Sequence, residues 1–233
     1  MEARRSYLNK KGSPQAAGIE SLERIDGAAA WKRGVMIVLV LVALISILLP
    51  ELVFQNRIFL VPDTKAPLSF ADVGRETLVE GTYPLWNPYI FCGMPSFGSL
   101  AYTPYVYPPS FVTHILHEYL HTPEMTWLLI HYLLAAIGVY LLLRSFGARP
   151  LVSLLGGAVF MLLPNYIAIG ANGHGSQACA ISYMPIALLL ARNIMAGKRR
   201  LEMTSFLAII LGFQMLRGHV QITYYTYLFI GLL

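Results

Sequence analysis

The chain has 233 residues, of which 56% are hydrophobic and only 12% charged, with a formal net charge of +5. A water-soluble domain carries about 25% charged residues to cover its core, so this composition excludes an ordinary soluble globular protein. The excess of positive charge does not read as a nucleic-acid surface either. The basic residues gather in the first 33 positions and in short breaks between apolar runs, the distribution that orients a membrane protein.

Met1 to Arg33 holds seven Lys/Arg against four Asp/Glu and reads as a solvated cytoplasmic tail. Ile19, Leu22 and Ile25 recur at helical spacing, so a short interfacial helix is the alternative. The length of this polar stretch and the lack of a small-residue cleavage site after the next run argue against a cleaved signal. A membrane crossing needs about 20 predominantly apolar residues. The first run, Gly34 to Phe54, opens on Lys32 and Arg33, has an uncharged middle, VMIVLVLVALISILL, and leaves the bilayer at Pro50 and Glu51.

Residues 51–123 form a long loop with three Lys/Arg and six Asp/Glu. Its pattern predicts a helix over Ala66 to Glu80. Pro84 to Pro109 is too interrupted by Pro and Gly for a helix or a central strand, and its Trp, Tyr and Phe side chains suit the headgroup level. His114, His117 and His121 share one helical face, yet no HExxH-like carboxylate accompanies them. They read as interfacial histidines beside a membrane helix, without a metal. Cys92 and Cys179 are too few for a disulfide framework; they read as two unrelated buried thiols, with pairing in an oxidising compartment as the alternative.

Five further apolar runs follow, near 124–144, 151–171, 178–196, 203–217 and 220–233. Their breaks alternate in kind. Arg144 to Pro150 and Ala196 to Arg200 are basic, whereas Ala171 to Gln177 and Arg217 to His219 centre on Gly-His. With Met1 to Arg33 in the cytoplasm, both basic breaks fall on the cytoplasmic side and both Gly-His breaks outside, with the long loop. The expected architecture is an all-α polytopic membrane protein: a cytoplasmic tail over 1–33, then about six spans over 34–233 with an extracytoplasmic loop at 51–123. The last run has about 14 residues, short of a crossing, so the expectation is a truncated form of a longer protein.

Three polar features then share the outer face: Asp63, with Asp72 in reserve; Asn172-Gly173-His174-Gly175-Ser176-Gln177; and Arg217-Gly218-His219-Val220-Gln221. Ionisable groups at a membrane boundary are costly and mark functional candidates, and the glycines allow tight turns or close approach of backbone to a ligand. Turn residues with no further role are the competing reading.

GTYPLWNPYIFCGMPSFGSLAYTPYVYPP resembles the hallmark segment of the YfhO-type bacterial membrane proteins, and GHGSQACAISYMPIALL and LRGHVQITYYTYL resemble their two Gly-His segments. Cys92 stands where such proteins commonly have a second Gly. The family is similar to the GT-C glycosyltransferases, which transfer a sugar from a polyprenyl-phosphate carrier outside the cytoplasm. The resemblance implies a GT-C-like helical bundle in the bacterial inner membrane and a catalytic acid in the first outer loop. Asp63 matches that position. A carboxylate there takes the proton of the acceptor hydroxyl, and the departing lipid phosphate needs a positive partner, either Arg217 or an oxygen-liganded divalent cation. The substrate-binding set is Trp86, Asn87, Tyr89, His174, Gln177, Arg217, His219 and Gln221, with membrane lipid and a lipid-linked sugar as partners and no nucleic acid. A transporter or flippase for a lipid-linked envelope precursor is the alternative, favoured by Pro164, Pro185 and Asn193 within the runs. A non-enzymatic envelope scaffold is the third.

Overall fold

A computed structural model describes residues 14–61, 73–76, 79–82, 85–89, 91–95 and 107–233, with side chains from Ala30 onward. The chain divides into two units, Met1–Val40 and Leu41–Leu233. Helix α1, Pro14–Leu48, begins in the first unit and ends in the second. Residues 14–33 are therefore helical and continuous with the first span. A proline as first residue suits that start, because its ring fixes the helical φ and the missing N–H is one a first turn leaves unbonded.

In the second unit, α2 (Pro50–Phe54) is followed by a helical turn at 73–76. Two-residue strands β1 (Trp86–Asn87) and β2 (Met94–Pro95) pair antiparallel, Trp86 opposite Pro95 and Asn87 opposite Met94. Then come α3 (Pro108–Leu120), α4 (Thr126–Ser145), α5 (Pro150–Met161), α6 (Pro164–Ala171), α7 (Gly175–Met195), α8 (Arg200–Leu216) and α9 (Val220–Leu232). The helix expected over Ala66 to Glu80 lies largely outside the described residues. So do Asp63 and Asp72.

Short turns make successive helices of the bundle antiparallel. The Trp127 ring lies against Gly175, where an added Cβ would come within 2.5 Å of it. At the opposite ends of the same two helices, the Arg192 guanidinium stands 4.6 Å over the Phe146 ring. Thus α4 and α7 run parallel, and the crossing formed by α5 and α6 returns between them. The Gly-His turns gather at one end of the bundle and the basic turns at the other. The backbone N–H of Glu124 donates to Asn56 Oδ1 at 2.7 Å, joining the chain just beyond α2 to the start of α4.

The bundle is apolar outside and polar within. Leu141, Leu151, Val152, Leu155, Val159, Phe206 and Ile209 are exposed, while His131, Ser153, Ser182, Gln214, Arg217, Thr223 and Thr226 are buried. A soluble protein with contiguous apolar patches of this kind would associate; surrounded by lipid, the same surface is satisfied. Among the described residues four helical stretches are long and apolar enough to cross a membrane: Ala30–Leu48, Thr126–Ser145, Pro150–Ala171 and Gly175–Met195. This is a helical membrane protein. The six expected crossings meet these four, plus α8 with 17 residues and α9 with 13; at ~1.5 Å per residue α8 reaches only ~25 Å of the ~30 Å hydrocarbon.

Packing differs along the crossing at 150–171. Near its start, an added Cβ on Gly157 would come within 2.5 Å of the Ala136 carbonyl oxygen, so α4 and α5 touch backbone to backbone. Farther on the helix breaks between Met161 and Pro164, since proline cannot donate to the preceding turn. Tyr132 Oη donates to the Ile167 carbonyl at 3.3 Å and Tyr166 Oη to Ala178 O at 2.9 Å. In α7, Pro185 removes another backbone donor. One turn earlier, side chains reach the helix carbonyls: Ser182 Oγ donates to Cys179 O at 2.6 Å and Gln214 Nε2 to Ala180 O at 2.9 Å. The carbonyl that Pro185 leaves without its helical donor is that of Ile181, so these bonds tie α7 internally and to α8 rather than replace the lost one.

Candidate functional site

The two Gly-His segments adopt one local structure. In the first, Asn172 closes α6, Gly173 takes φ +86°, and His174 is the N-cap of α7. In the second, Arg217 closes α8, Gly218 takes φ +71°, and His219 is the N-cap of α9. A left-handed turn costs an L side chain about 1–2 kcal/mol, which accounts for glycine at both places. Neither α7 nor α9 has an acidic residue in its first turn, so nothing there offsets the positive end of either helix dipole.

His219 Nδ1 accepts the N–H of Ile222 at 3.4 Å, whereas His174 makes no side-chain cap bond. Partial burial lowers the His219 pKa, the bond to its own backbone works in the other direction, and the charge of His174 lowers it further. The two imidazoles are therefore electrostatic neighbours, and the site disfavours a second positive charge on His219. Gln177 is half-buried near the start of α7; Gln221 is exposed, its Nε2 donating to Tyr225 Oη at 3.0 Å.

Arg217 is only 2% exposed. Its guanidinium stands 4.8 Å from the centroid of the Tyr107 ring and 5.9 Å from that of Trp127. On insertion scales, an arginine at the middle of a membrane helix costs about 2.5–3.5 kcal/mol. A desolvated cation–π contact contributes about 2 kcal/mol, so two rings offset most of that cost. This explains how a cation persists at an apolar position, and it makes Trp127 the meeting point of both Gly-His turns.

Beside Arg217 lies a buried chain of protic groups. Tyr107 Oη is 2.7 Å from His131 Nε2 and also bonds the Tyr183 hydroxyl; His131 Nδ1 is 2.5 Å from the Trp127 carbonyl. A carbonyl only accepts, so Nδ1 carries the hydrogen. In a neutral imidazole Nε2 must then accept, Tyr107 donates to it, and Tyr183 donates to Tyr107. Burial, the largest influence, pushes the Tyr107 hydroxyl far up from its ordinary value, so it remains protonated. Below Arg217, Gln214 Nε2 also donates to Thr226 Oγ1 at 2.8 Å, and that hydroxyl donates to Ile222 O at 2.9 Å. These bonds fasten α7, α8 and α9 to one another.

The hairpin is a separate feature. Its strands turn Trp86 outward and Asn87 inward, as alternation requires. Trp86 is exposed yet pressed against Gly93, where an added Cβ would lie 2.5 Å from the indole. Asn87 is fully buried; its Oδ1 accepts the Tyr89 N–H at 2.9 Å, and its Nδ2 has no partner. Tyr89 is exposed. The outward aromatics are available for stacking, whereas Asn87 is committed to the turn.

His117, on α3, bonds Thr122 O through Nδ1 at 2.6 Å and lies 3.4 Å from Glu124 through Nε2. Among the described residues no group of three His, Cys, Asp or Glu side chains is placed to hold a metal ion. Cys92 is exposed and Cys179 buried, both free thiols.

The structure thus unites His174, Arg217 and His219 and adds Tyr107, Trp127, His131, Tyr183 and Gln214, none of which the motifs singled out. His131 and Gln214 carried a signal: each is a polar residue inside an apolar run, a functional pointer in a membrane protein. No family model, curated protein or solved structure matches the chain.

Proposed function

We propose that this chain is a membrane glycosyltransferase of GT-C type, related to the YfhO-type proteins. It moves a sugar from a polyprenyl-phosphate donor to a cell-envelope acceptor on the extracytoplasmic face of the bacterial inner membrane. The observation that carries the reading is the buried Arg217, clamped between Tyr107 and Trp127 where two helix N-termini and two histidines meet. A cation held in a dry, aromatic-walled position at one end of the bundle fits a lipid-borne phosphate. The basic turns at the opposite end support a cytoplasmic orientation for that end and for the N-terminus.

In the proposed reaction Asp63 takes the proton of the acceptor hydroxyl as its oxygen bonds to the anomeric carbon. The bond from that carbon to the phosphate oxygen breaks in the same displacement, inverting the centre, and the electron pair leaves with the lipid phosphate. Arg217 balances the charge that develops there, and His174 and His219 donate hydrogen bonds. Trp86 and Tyr89 give the sugar an aromatic surface. In proteoliposomes, Asp63→Asn abolishes sugar transfer while the protein still inserts; normal transfer by that variant would move the base elsewhere.

A flippase for the same lipid class is the second reading. It is favoured by the crossing broken between Met161 and Pro164 and by Pro185 within α7, since interrupted helices line the sites of many transporters. Movement of a fluorescent lipid-linked sugar between leaflets, without its transfer to an acceptor, would decide for it.

A further inference from the structure

The proposed reaction gives no task to the buried hydrogen-bonded chain of Tyr183, Tyr107 and His131. The chain has three features that matter together. Its direction is fixed, because the Trp127 carbonyl holds the His131 Nδ1 hydrogen and leaves Nε2 to accept from Tyr107. Its middle member, Tyr107, is fully buried although it lies outside the long helices, one residue before α3. And the Tyr107 ring is the nearer of the two that face the Arg217 guanidinium. Two hydrogen bonds at its hydroxyl, to side chains on α4 and α7, fix where the outer end of the phenol stands; rotation of the ring about its bond to Cβ leaves the oxygen in place and is limited by the groups that touch the ring. Phe213 meets the same ring edge-on, with centroids 6.3 Å apart.

We propose that Tyr107 is a positioning residue for Arg217, and that His131 acts through it: the imidazole orients the phenol, and the phenol sets where the guanidinium stands to receive an anionic phosphate. The inference rests on the phosphate-binding reading above and adds the residues that set its geometry. The same histidine also bonds the Trp127 carbonyl, one turn earlier on the helix that carries the second ring. Arginine has a long, many-rotamer side chain, and a ring held in place on one side removes much of the freedom that binding would otherwise have to remove.

The test uses the whole chain in phosphatidylcholine nanodiscs, with and without polyprenyl phosphate. Two readouts are taken: the NMR shift of the Arg217 Nε–H, which ring currents displace, and retention of radiolabelled polyprenyl phosphate. Tyr107→Leu and His131→Leu should move the Arg217 resonance toward that of a solvated arginine and weaken polyprenyl phosphate binding about tenfold. His131→Gln, whose amide oxygen still accepts from Tyr107, should restore both. A merely structural role for His131 would not be rescued in this way. An Arg217 resonance unmoved in both leucine variants overturns the positioning role, and so does loss of the signal that His131→Gln fails to restore. If the wild-type chain retains no polyprenyl phosphate, the transferase reading fails, and the resonance alone decides the positioning role.

Discussion

The two ends of the bundle are built alike and furnished differently. Each turn at the two ends of the α4–α9 bundle places a left-handed glycine after a helix: Gly147 and Gly197 at the basic end, Gly173 and Gly218 at the other. At the basic end the cations are solvated. Arg144, Arg149, Lys198, Arg199 and Arg200 surround exposed or half-buried backbone, and Arg199 pairs with Glu202. At the Gly-His end Arg217 is withdrawn among rings. Both ends even contain a cation–π pair at nearly equal distance, 4.6 Å for Arg192 over Phe146 and 4.8 Å for Arg217 over Tyr107. Desolvation separates them: the exposed form of this contact is worth about 0.5–1 kcal/mol and the buried form about 2 kcal/mol or more. Backbone geometry thus makes the turns, and burial decides which of them can do chemistry.

The strongest way to break that contrast is charge removal. Arg217→Gln should lower sugar transfer from a polyprenyl-phosphate donor by on the order of 10²–10³-fold, measured in proteoliposomes, while Arg192→Gln should leave transfer unchanged. Equal effects from the two would erase the distinction. Backbone strain gives a subtler comparison. Gly218→Ala and Gly197→Ala should each cost about 1–2 kcal/mol of stability in reversible unfolding in detergent, but only the former should also weaken polyprenyl phosphate retention.

A third measurement concerns acid. The His219 pKa is depressed in the folded chain, and its neutral Nδ1 caps α9. The cap's contribution is therefore complete above about pH 6.5, the ordinary histidine value, and is lost as pH falls through the lower folded value. The protection factor of the Ile222 amide, its exchange rate corrected for the intrinsic pH dependence, should fall in acid by an amount corresponding to about 1 kcal/mol, the worth of a cap. His219→Asn, which caps without titrating near neutrality, should flatten that dependence. The smallest effect should be the exposed cation–π pair, where Arg192→Gln costs about 0.5–1 kcal/mol in the same unfolding experiment.

How much of this was legible in the sequence follows from the range of each interaction. Apolar runs and basic breaks are local patterns, so the spans at 126–145, 150–171 and 175–195 lie within a few residues of where hydropathy puts them. The alternation of basic and Gly-His turns likewise gave the two ends. The buried chain was hidden because Tyr107 meets His131 across 24 residues and Tyr183 across 76, separations no periodicity detects. In the tail, the spacing of Ile19, Leu22 and Ile25 carried the helical period of α1. The glycines of the Gly-His turns were read correctly as turn-formers, while their histidines proved to be helix caps as well.

The interruption at Leu162–Leu163 divides one crossing into halves with different mechanical character. The half beside Ala136 is seated on α4 by a contact that leaves no room for sliding. The half carrying Tyr166 and Gly170 is held by tyrosine hydroxyl bonds, by the Tyr132–Tyr166 ring contact, and by an equally close approach of Gly170 to Tyr132. Bending at the interruption would therefore have to break hydrogen bonds that the first half does not make.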